Sequence, residues 1–312
     1  LEKDILLIIN PNASKGRGRK SAKLIQSIFK SRGRQCTVAY TRGAGHAATL
    51  ARKGVQYEYK VIIAAGGDGT VNEVLNGIMF SGRSSSVTMG IIPIGRGNDF
   101  AWCAGIPRKL EESIDLIING SAKPVDVGIC RGTDHAEGMY FLNGTGFGFE
   151  PMVNFKAMEY QKINGMLSYI VAFFYILRHF PEPYHLRISI DDGEEFPLDT
   201  QQLSVLNGKR MGASFVLGPL ASINDGVFDI FYANRPFRTR KDLIIAVLEF
   251  FRGAHIKDKE SFTYLKARKI RIESDEPSVI AHSDGEVFTK AGRSFQVEIL
   301  PHALKLIYGQ EK

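Results

Sequence analysis

Through roughly the first 125 residues, short runs of β-branched and other apolar residues alternate with stretches whose apolar positions recur every three to four residues. Ile5–Ile9, Thr37–Tyr40, Val61–Ala65 and Val87–Ile92 read as strands, and residues 18–31, 46–53, 70–80 and 109–118 read as helices. That alternation predicts βαβ units on a parallel sheet, an α/β doubly wound N-terminal domain. From about Val125 the rhythm changes. Strand-like segments near Gly138–Gly144, Leu186–Ile190, Leu203–Val205, Val227–Tyr232 and Ile270–Ile272 are punctuated by Asp192-Gly193, Asn207-Gly208 and Asp225-Gly226 turns. This predicts a β-rich, antiparallel, sandwich-like second domain, interrupted by helical stretches near 164–179 and 240–254. The last strand, from Ser294, is expected to return to the N-terminal domain. The predicted division is therefore 1–125, 126–293 and a C-terminal strand and tail at 294–312.

Length and composition agree with two ordinary folded domains. The chain has 312 residues, and domains usually hold about 100–200. Hydrophobic residues at 44% and charged residues at 23% exclude a disordered, collagen-like or coiled-coil chain. Forty Lys+Arg against 33 Asp+Glu leave a net charge of +7, which directs attention to anionic partners: nucleotides, anionic lipid or nucleic acid. Cys36, Cys103 and Cys130 form no C-x-x-C pair, and the histidines show no H-x-x-x-H spacing, so neither a disulfide framework nor a zinc site is predicted. A reducing cytoplasm is the expected compartment. The first residues lack a basic region and a small-residue cleavage site, so they read as a strand and not a signal peptide. The longest mostly apolar stretch, Met166–Leu177, falls short of the ~20 residues that span a bilayer.

Three loops carry the chemistry. Val61–Ala65 runs into Gly66-Gly67-Asp68-Gly69-Thr70-Val71-Asn72 and then a helix, a geometry that sets backbone N–H groups and a helix start against an anion, usually phosphate. Glycines let the backbone approach closely, Thr70 is a candidate helix cap, and Asp68 stands at the carboxyl end of a strand, where α/β sheets bind ligands. Pro93-Ile94-Gly95-Arg96-Gly97-Asn98-Asp99 repeats the placement after the next strand, with Asn98 and Asp99 as candidate caps or ligands for hydroxyl or phosphate. Asn10-Pro11-Asn12-Ala13-Ser14 leaves the first strand in the same way. No Walker sequence and no G-x-G-x-x-G after a strand is present.

Asn10-Pro11, Gly66-Gly67-Asp68-Gly69-Thr70 and Gly95-Arg96-Gly97-Asn98-Asp99, in this order, resemble the successive motifs of the diacylglycerol kinase catalytic domain. More narrowly, the chain resembles the soluble bacterial lipid kinases of the YegS/BmrU group. Later segments are similar to that group in order: Asn143–Glu150, Gly165–Tyr169, Pro219–Gly226 and Asp284-Gly285-Glu286. The Gly-Gly-Asp-Gly-Thr element is shared with NAD kinases, whereas Gly-x-Gly-Asn-Asp belongs to the lipid kinases. The resemblance implies ATP-dependent phosphorylation of a lipid hydroxyl, diacylglycerol to phosphatidate first, with ATP on the N-terminal domain and lipid on the second. It implies ATP contacts from Asn10, Pro11, Asn12, Ala13, Ser14, Thr41, Gly66–Asn72 and Arg96, with Gly97, Asn98 and Asp99 beside them. Glu286 would be the general base, Asp284 would organise a water–Mg²⁺ network, and Asp68 would lie near the transferred phosphate. A structural Mg²⁺ would be held by residues at Ser222, Asp225 and Val227.

The chain departs from the family at three of these positions. Arg96 replaces a small residue, Ser14 replaces glycine, and Ser222 replaces an aspartate, so the structural Mg²⁺ site is expected to be weakened or empty. Taken alone, Asp284-Gly285-Glu286 also reads as a hairpin turn. The apolar helix at 166–180 is read as core before it is read as an acyl-chain cleft. The basic clusters Arg238–Lys241 and Lys266–Lys269 are candidates for an anionic bilayer, giving a peripheral enzyme at the inner membrane face. No nucleic-acid motif accompanies the charge, and a second copy of the chain is a further candidate partner. The alternatives are another acceptor, such as sphingosine, a glycolipid or NAD, or a nucleotide-binding regulator without catalysis.

Overall fold

The computed structural model describes residues 4–13, 18–133, 135–160, 166–212, 215–275 and 278–312. The chain divides into two compact units, Leu1–Val127 with Pro301–Lys312, and Gly128–Leu300.

In the first unit, β1 (Ile5–Ile9), β2 (Thr37–Tyr40), β3 (Val61–Gly66) and β4 (Thr88–Pro93) form a parallel sheet in the order β2-β1-β3-β4. Residues alternate between the two faces of a strand, and both faces are used. Leu7, Ile9, Ile63, Ala65 and Ile92 pack against α1 (Gly18–Ser31) and α5 (Leu110–Asn119) through Ala22, Ile25, Phe29, Ile114 and Ile117. On the opposite face, Leu6 and Ile62 meet Gly54 of α2 (His46–Gln56), which packs on α3 (Asp68–Met79). This is the doubly wound arrangement that the alternating pattern predicts. A short α4 (Asp99–Cys103) precedes α5, and β5 (Ala122–Gly132) carries the chain onward.

The second unit contains a six-stranded antiparallel sheet with β7 (Gly144–Gly148), β10 (Gln202–Leu206), β11 (Phe228–Ala233), β12 (Phe262–Ala267), β14 (Val279–Ser283) and β15 (Glu286–Gly292) in the order β12-β11-β10-β7-β14-β15. A second group comprises β6 (His135–Phe141), which pairs with β5, and β8 (Tyr184–Ile190), β9 (Phe196–Thr200), β13 (Lys269–Ser274) and the first part of β16 (Ser294–Ile307). Phe147, Val205, Phe228 and Ile230 from the first sheet share a core with Leu186, Ile188, Ile270, Ile272, Phe295 and Val297 from the second group. This is a β-sandwich. A separate core forms where α6 (Phe149–Glu159), α7 (Met166–Arg178) and α8 (Arg240–Arg252) bring Phe149, Ala172, Ile176, Leu243 and Phe250 onto Leu206 and Phe231. As expected, α7 buries one face. Its opposite face leaves Leu167, Ile170 and Phe174 exposed. β16 is longer than the predicted strand, and its last residues, Lys305 and Leu306, pair in parallel with Thr88 and Met89 of β4.

Candidate active site

The two central glycine loops of the first unit are one piece of structure. β3 ends at Gly66, and the chain passes through Gly67 into α3, whose first residue is Asp68. The Asp68 carboxylate reaches to the next loop: Oδ2 accepts the Asn98 N–H at 2.8 Å and Oδ1 the Asp99 N–H at 2.8 Å. Asp68 therefore opens one helix and caps the next with charge-assisted hydrogen bonds. Asn98, at φ 55°, folds its amide onto Gly95, accepting from the Gly95 N–H and donating to its carbonyl, both at 3.0 Å. Gly95 lies so close to the Gly67 backbone that a Cβ there would collide with the Gly67 Cα.

Two expected caps have other duties. The residue before α3 is Gly67, so Thr70 lies inside the first turn, where its hydroxyl accepts from Asn10 Nδ2 at 3.5 Å. Asn98 precedes α4 but spends its amide on Gly95 and makes no side-chain cap. Asn10 Oδ1 accepts the Asn12 N–H at 2.9 Å, and the Ala13 N–H donates to the Asn10 carbonyl, which tightens the loop beside Pro11. Ser14 lies outside the described residues. Thr41 is buried after β2 with its N–H on the Ile9 carbonyl, and Val71 and Asn72 follow Thr70 on α3. Arg96 is exposed beside Gly97. Sequence reasoning missed Glu73, whose two oxygens accept the N–H groups of Gly45 at 2.8 Å and Ala47 at 2.9 Å, holding the start of α2. Its partners lie 28 and 26 residues upstream, and no local signal points to them.

In the second unit, Asp284-Gly285-Glu286 is indeed a hairpin turn, joining β14 to β15 with Ser283 paired to Glu286. Asp284 and Gly285 have φ of 50° and 84°, the left-handed pair that a two-residue hairpin requires and that Asp-Gly supplies. The turn is also heavily tied. Asp284 Oδ1 accepts the N–H groups of Asn143 (2.8 Å) and Gly144 (3.1 Å), and Oδ2 accepts that of Leu142 (2.9 Å). The Gly285 peptide groups are held on both sides: its N–H donates to His282 Nδ1 at 3.1 Å, and its carbonyl accepts from Asn154 Nδ2 at 2.6 Å. Tyr169, from the helix whose sequence resembles Gly-x-x-x-Tyr, donates its hydroxyl to Asn154 Oδ1 at 3.0 Å. His282 Nδ1 is an acceptor, so Nε2 carries the proton and donates to Glu150 Oε1 at 2.9 Å. Glu150 Oε2 in turn accepts from Ser204. Glu286 is thus a half-buried carboxylate on an immobilised turn.

The residues expected to hold a structural Mg²⁺ do not fit one. Ser222 donates its hydroxyl to Asn224 Oδ1 at 3.1 Å, and Asp225 Oδ1 accepts the Val227 N–H at 3.3 Å. Asp225 Oδ2 is 2.6 Å from the Lys266 ammonium, which also lies 3.5 Å from Oδ2 of the buried Asp229. A hard divalent cation takes six or more oxygen ligands, and this loop offers one carboxylate already paired with a cation. Among the described residues, no three His, Cys, Asp or Glu side chains gather to hold a metal. Burial pushes the Asp229 carboxyl upward, partly offset by the Tyr264 hydroxyl and Lys266. Tyr264 is raised by burial and by the Asp229 charge.

Residues 4–130 match the diacylglycerol kinase catalytic domain, and residues 144–308 match the YegS C-terminal NAD kinase beta sandwich-like domain. A diacylglycerol kinase from Bacillus subtilis is 30% identical over 282 residues, covering 90% of this chain and 88% of the relative. A probable lipid kinase of the YegS-like type from Serratia proteamaculans is 28% identical, covering 96% and 92%. The solved structure of a candidate diacylglycerol kinase from Bacillus anthracis superposes with a TM-score of 0.76 at 27% identity, over 98% and 97% of the two chains. These matches extend over most of both units, and they place the chain in the diacylglycerol kinase catalytic-domain family of lipid kinases.

Proposed function

We propose that this lipid kinase transfers the γ-phosphoryl group of ATP to the free hydroxyl of diacylglycerol, giving phosphatidate and ADP. The observation that carries the reading is the turn at Asp284-Gly285-Glu286, where five hydrogen bonds fix Asp284 and Gly285 so that the third residue, Glu286, is presented rigidly. A general base must be held in place to be useful, and phosphoryl transfer is mostly positioning and charge neutralisation. Glu286 accepts the proton of the lipid hydroxyl as its oxygen bonds to the γ-phosphorus, while the bond from that phosphorus to the β,γ-bridging oxygen breaks. ATP enters with its Mg²⁺ as substrate. The first turn of α3, at Gly66–Asn72, and the fused loop at Gly97–Asp99 cradle its phosphates, with Asn10–Ser14, Thr41 and Arg96 contributing to the same nucleotide. Asp68 keeps the nucleotide loops in shape, and Asp284 holds the turn that carries Glu286. Diacylglycerol is named for the Bacillus subtilis relative, and this supports it as the acceptor.

The acceptor lives in a membrane, and no described helix is long and apolar enough to cross one. We propose docking through the exposed apolar residues Ile244, Leu248 and Phe251 of α8 and Leu167, Ile170 and Phe174 of α7, flanked by the exposed Arg238 and Lys241. The second basic cluster contributes less, because Lys266 and Lys269 are paired with Asp225 and Asp192.

Labelled ATP, Mg²⁺ and vesicles carrying diacylglycerol, sphingosine or a glycolipid test the reading. Labelled phosphatidate is expected, faster on anionic than on neutral vesicles, and reduced about 10²–10⁴-fold in Glu286→Gln. Transfer to another acceptor alone, or an unimpaired Glu286→Gln enzyme, would refute it.

A further inference from the structure

The loop at Pro219–Val227 stands where the family resemblance implies a structural divalent cation, yet its charge is already balanced by a side chain of this chain. β11 pairs with β12 so that Asp229 lies directly opposite Lys266. Strand pairing, and not the reach of a flexible side chain, therefore puts the ammonium beside the fully buried Asp229 carboxylate, 3.5 Å away. From there it reaches Asp225 Oδ2 at 2.6 Å, the one carboxylate that the cation would share. The other oxygen of Asp225 accepts the Val227 N–H, and Ser222, with a hydroxyl where relatives carry a carboxylate, donates to Asn224.

We propose that Lys266 is a built-in replacement for the structural metal, so that the Pro219–Val227 loop is held to β11 and β12 without any divalent cation. One ammonium hydrogen-bonds Asp225 and lies at ion-pair distance from Asp229, whose two buried oxygens accept no hydrogen bond, so its positive charge is what offsets the carboxylates there. A divalent ion arriving at Asp225 would meet that charge at contact distance, with only one acidic ligand to offset the loss of its water shell. The loop offers a hydroxyl at Ser222, and the strand paired beside it supplies the cation at Lys266. This inference does not rest on the transferred group or on the acceptor, and its test needs neither nucleotide nor lipid.

The test is thermal unfolding of the nucleotide-free protein in EDTA, in millimolar Mg²⁺ and in millimolar Ca²⁺, with metal content measured on the purified chain. The wild type is expected to carry no stoichiometric metal and to keep one Tm in all three conditions. Lys266→Arg should behave like the wild type. Lys266→Gln should lose roughly 5 °C or more in EDTA, and the Ser222→Asp/Lys266→Gln variant should regain that loss on adding Mg²⁺ or Ca²⁺. A wild-type Tm that falls in EDTA and recovers with either ion, in a manner abolished by Asp225→Asn, would overturn the proposal. So would Lys266→Gln unfolding at the wild-type Tm in EDTA. If Lys266→Gln is too unstable to purify, the wild-type and Lys266→Arg measurements decide the matter alone.

Discussion

Asp68, Glu73 and Asp284 each turn a carboxylate onto backbone N–H groups of a segment distant in sequence. Hydrogen bonds to a charged group are worth roughly 1.5–3 kcal/mol each, so these residues shape the loops whatever further part they take in the reaction. His255 shows a different use of a polar residue. Its ring lies 4.6 Å from Phe231 and 5.3 Å from Phe250, with Nε2 donating to the Leu217 carbonyl at 3.0 Å. Burial lowers its pKa to about 4, and the Leu217 carbonyl only partly restores it. An unfolded histidine titrates near 6.5. Above that pH the ring is neutral in both states and contributes no pH dependence. Below it the unfolded chain takes up a proton that the folded chain refuses, so stability falls as the pH drops toward 4, by about 3 kcal/mol at the end of the window. Urea unfolding between pH 7 and 4.5 should show this slope in the wild type and a shallower one, by one proton, in His255→Gln. Equal slopes would remove His255 from the explanation. None of this is legible in sequence, where His255 is one histidine among seven. Asp68, Glu150 and Glu286 lie in segments that glycine neighbours mark, whereas no such marker singles out Glu73, Asn154 and His282.

At the scale of elements, α2 shows how much of a helix start can be supplied from elsewhere. Gly45 precedes it in the left-handed conformation and offers no side chain, and the Glu73 carboxylate of α3 takes the Gly45 and Ala47 N–H groups instead. Losing a cap costs about 0.5–2 kcal/mol. Glu73→Ala should therefore lower stability by about that amount in urea unfolding, with faster amide exchange over residues 46–49, while Glu73→Gln keeps part of it. Wild-type stability and exchange in Glu73→Ala would show that α2 starts unaided. The strands and helices of the first unit follow the hydrophobic pattern closely, because one stripe or face of each meets the core. α6 is harder to read: its buried Phe149, Val153 and Ala157 do recur every four residues, but Pro151 stands in its first turn and the helix follows directly on the glycine-rich strand β7. β14 and β15 escape as well, since β14 buries His282 and Ser283 where an apolar residue would announce a strand. Their meaning depends on Glu150 and Thr145, contributed by β7 and α6 more than 130 residues earlier.

For the whole molecule, the consequential feature is that the first unit is built from both ends of the chain. Lys305 and Leu306 extend its sheet beside β4, and Leu304, Leu306, Ile307 and Tyr308 are all buried. Ile307 packs in the same cluster as Ile9, Ile63 and Ile114. The backbone is tied too: His302 donates to Asp126 Oδ1 at 2.8 Å, Gly309 to the Ala104 carbonyl, and Lys312 to the Cys103 carbonyl. Burying four such side chains is worth roughly 6–12 kcal/mol at about 1.5–3 kcal/mol each, against a usual domain stability of about 5–15 kcal/mol. Residues 4–127 therefore should not stay folded without the last strand. A chain ending at Leu300 is expected to lose protease resistance across 4–127 while Gly128–Leu300, with its own sandwich core, stays protected. Peptide mapping after brief proteolysis reads the two regions separately. Protection of 4–127 at the wild-type level would mean that β4 tolerates an open edge, and that the glycine loops at the ends of β3 and β4 do not depend on the far end of the chain. Loss of protection there would mean that these loops take shape only when residues 301–312 are present to close the edge of β4.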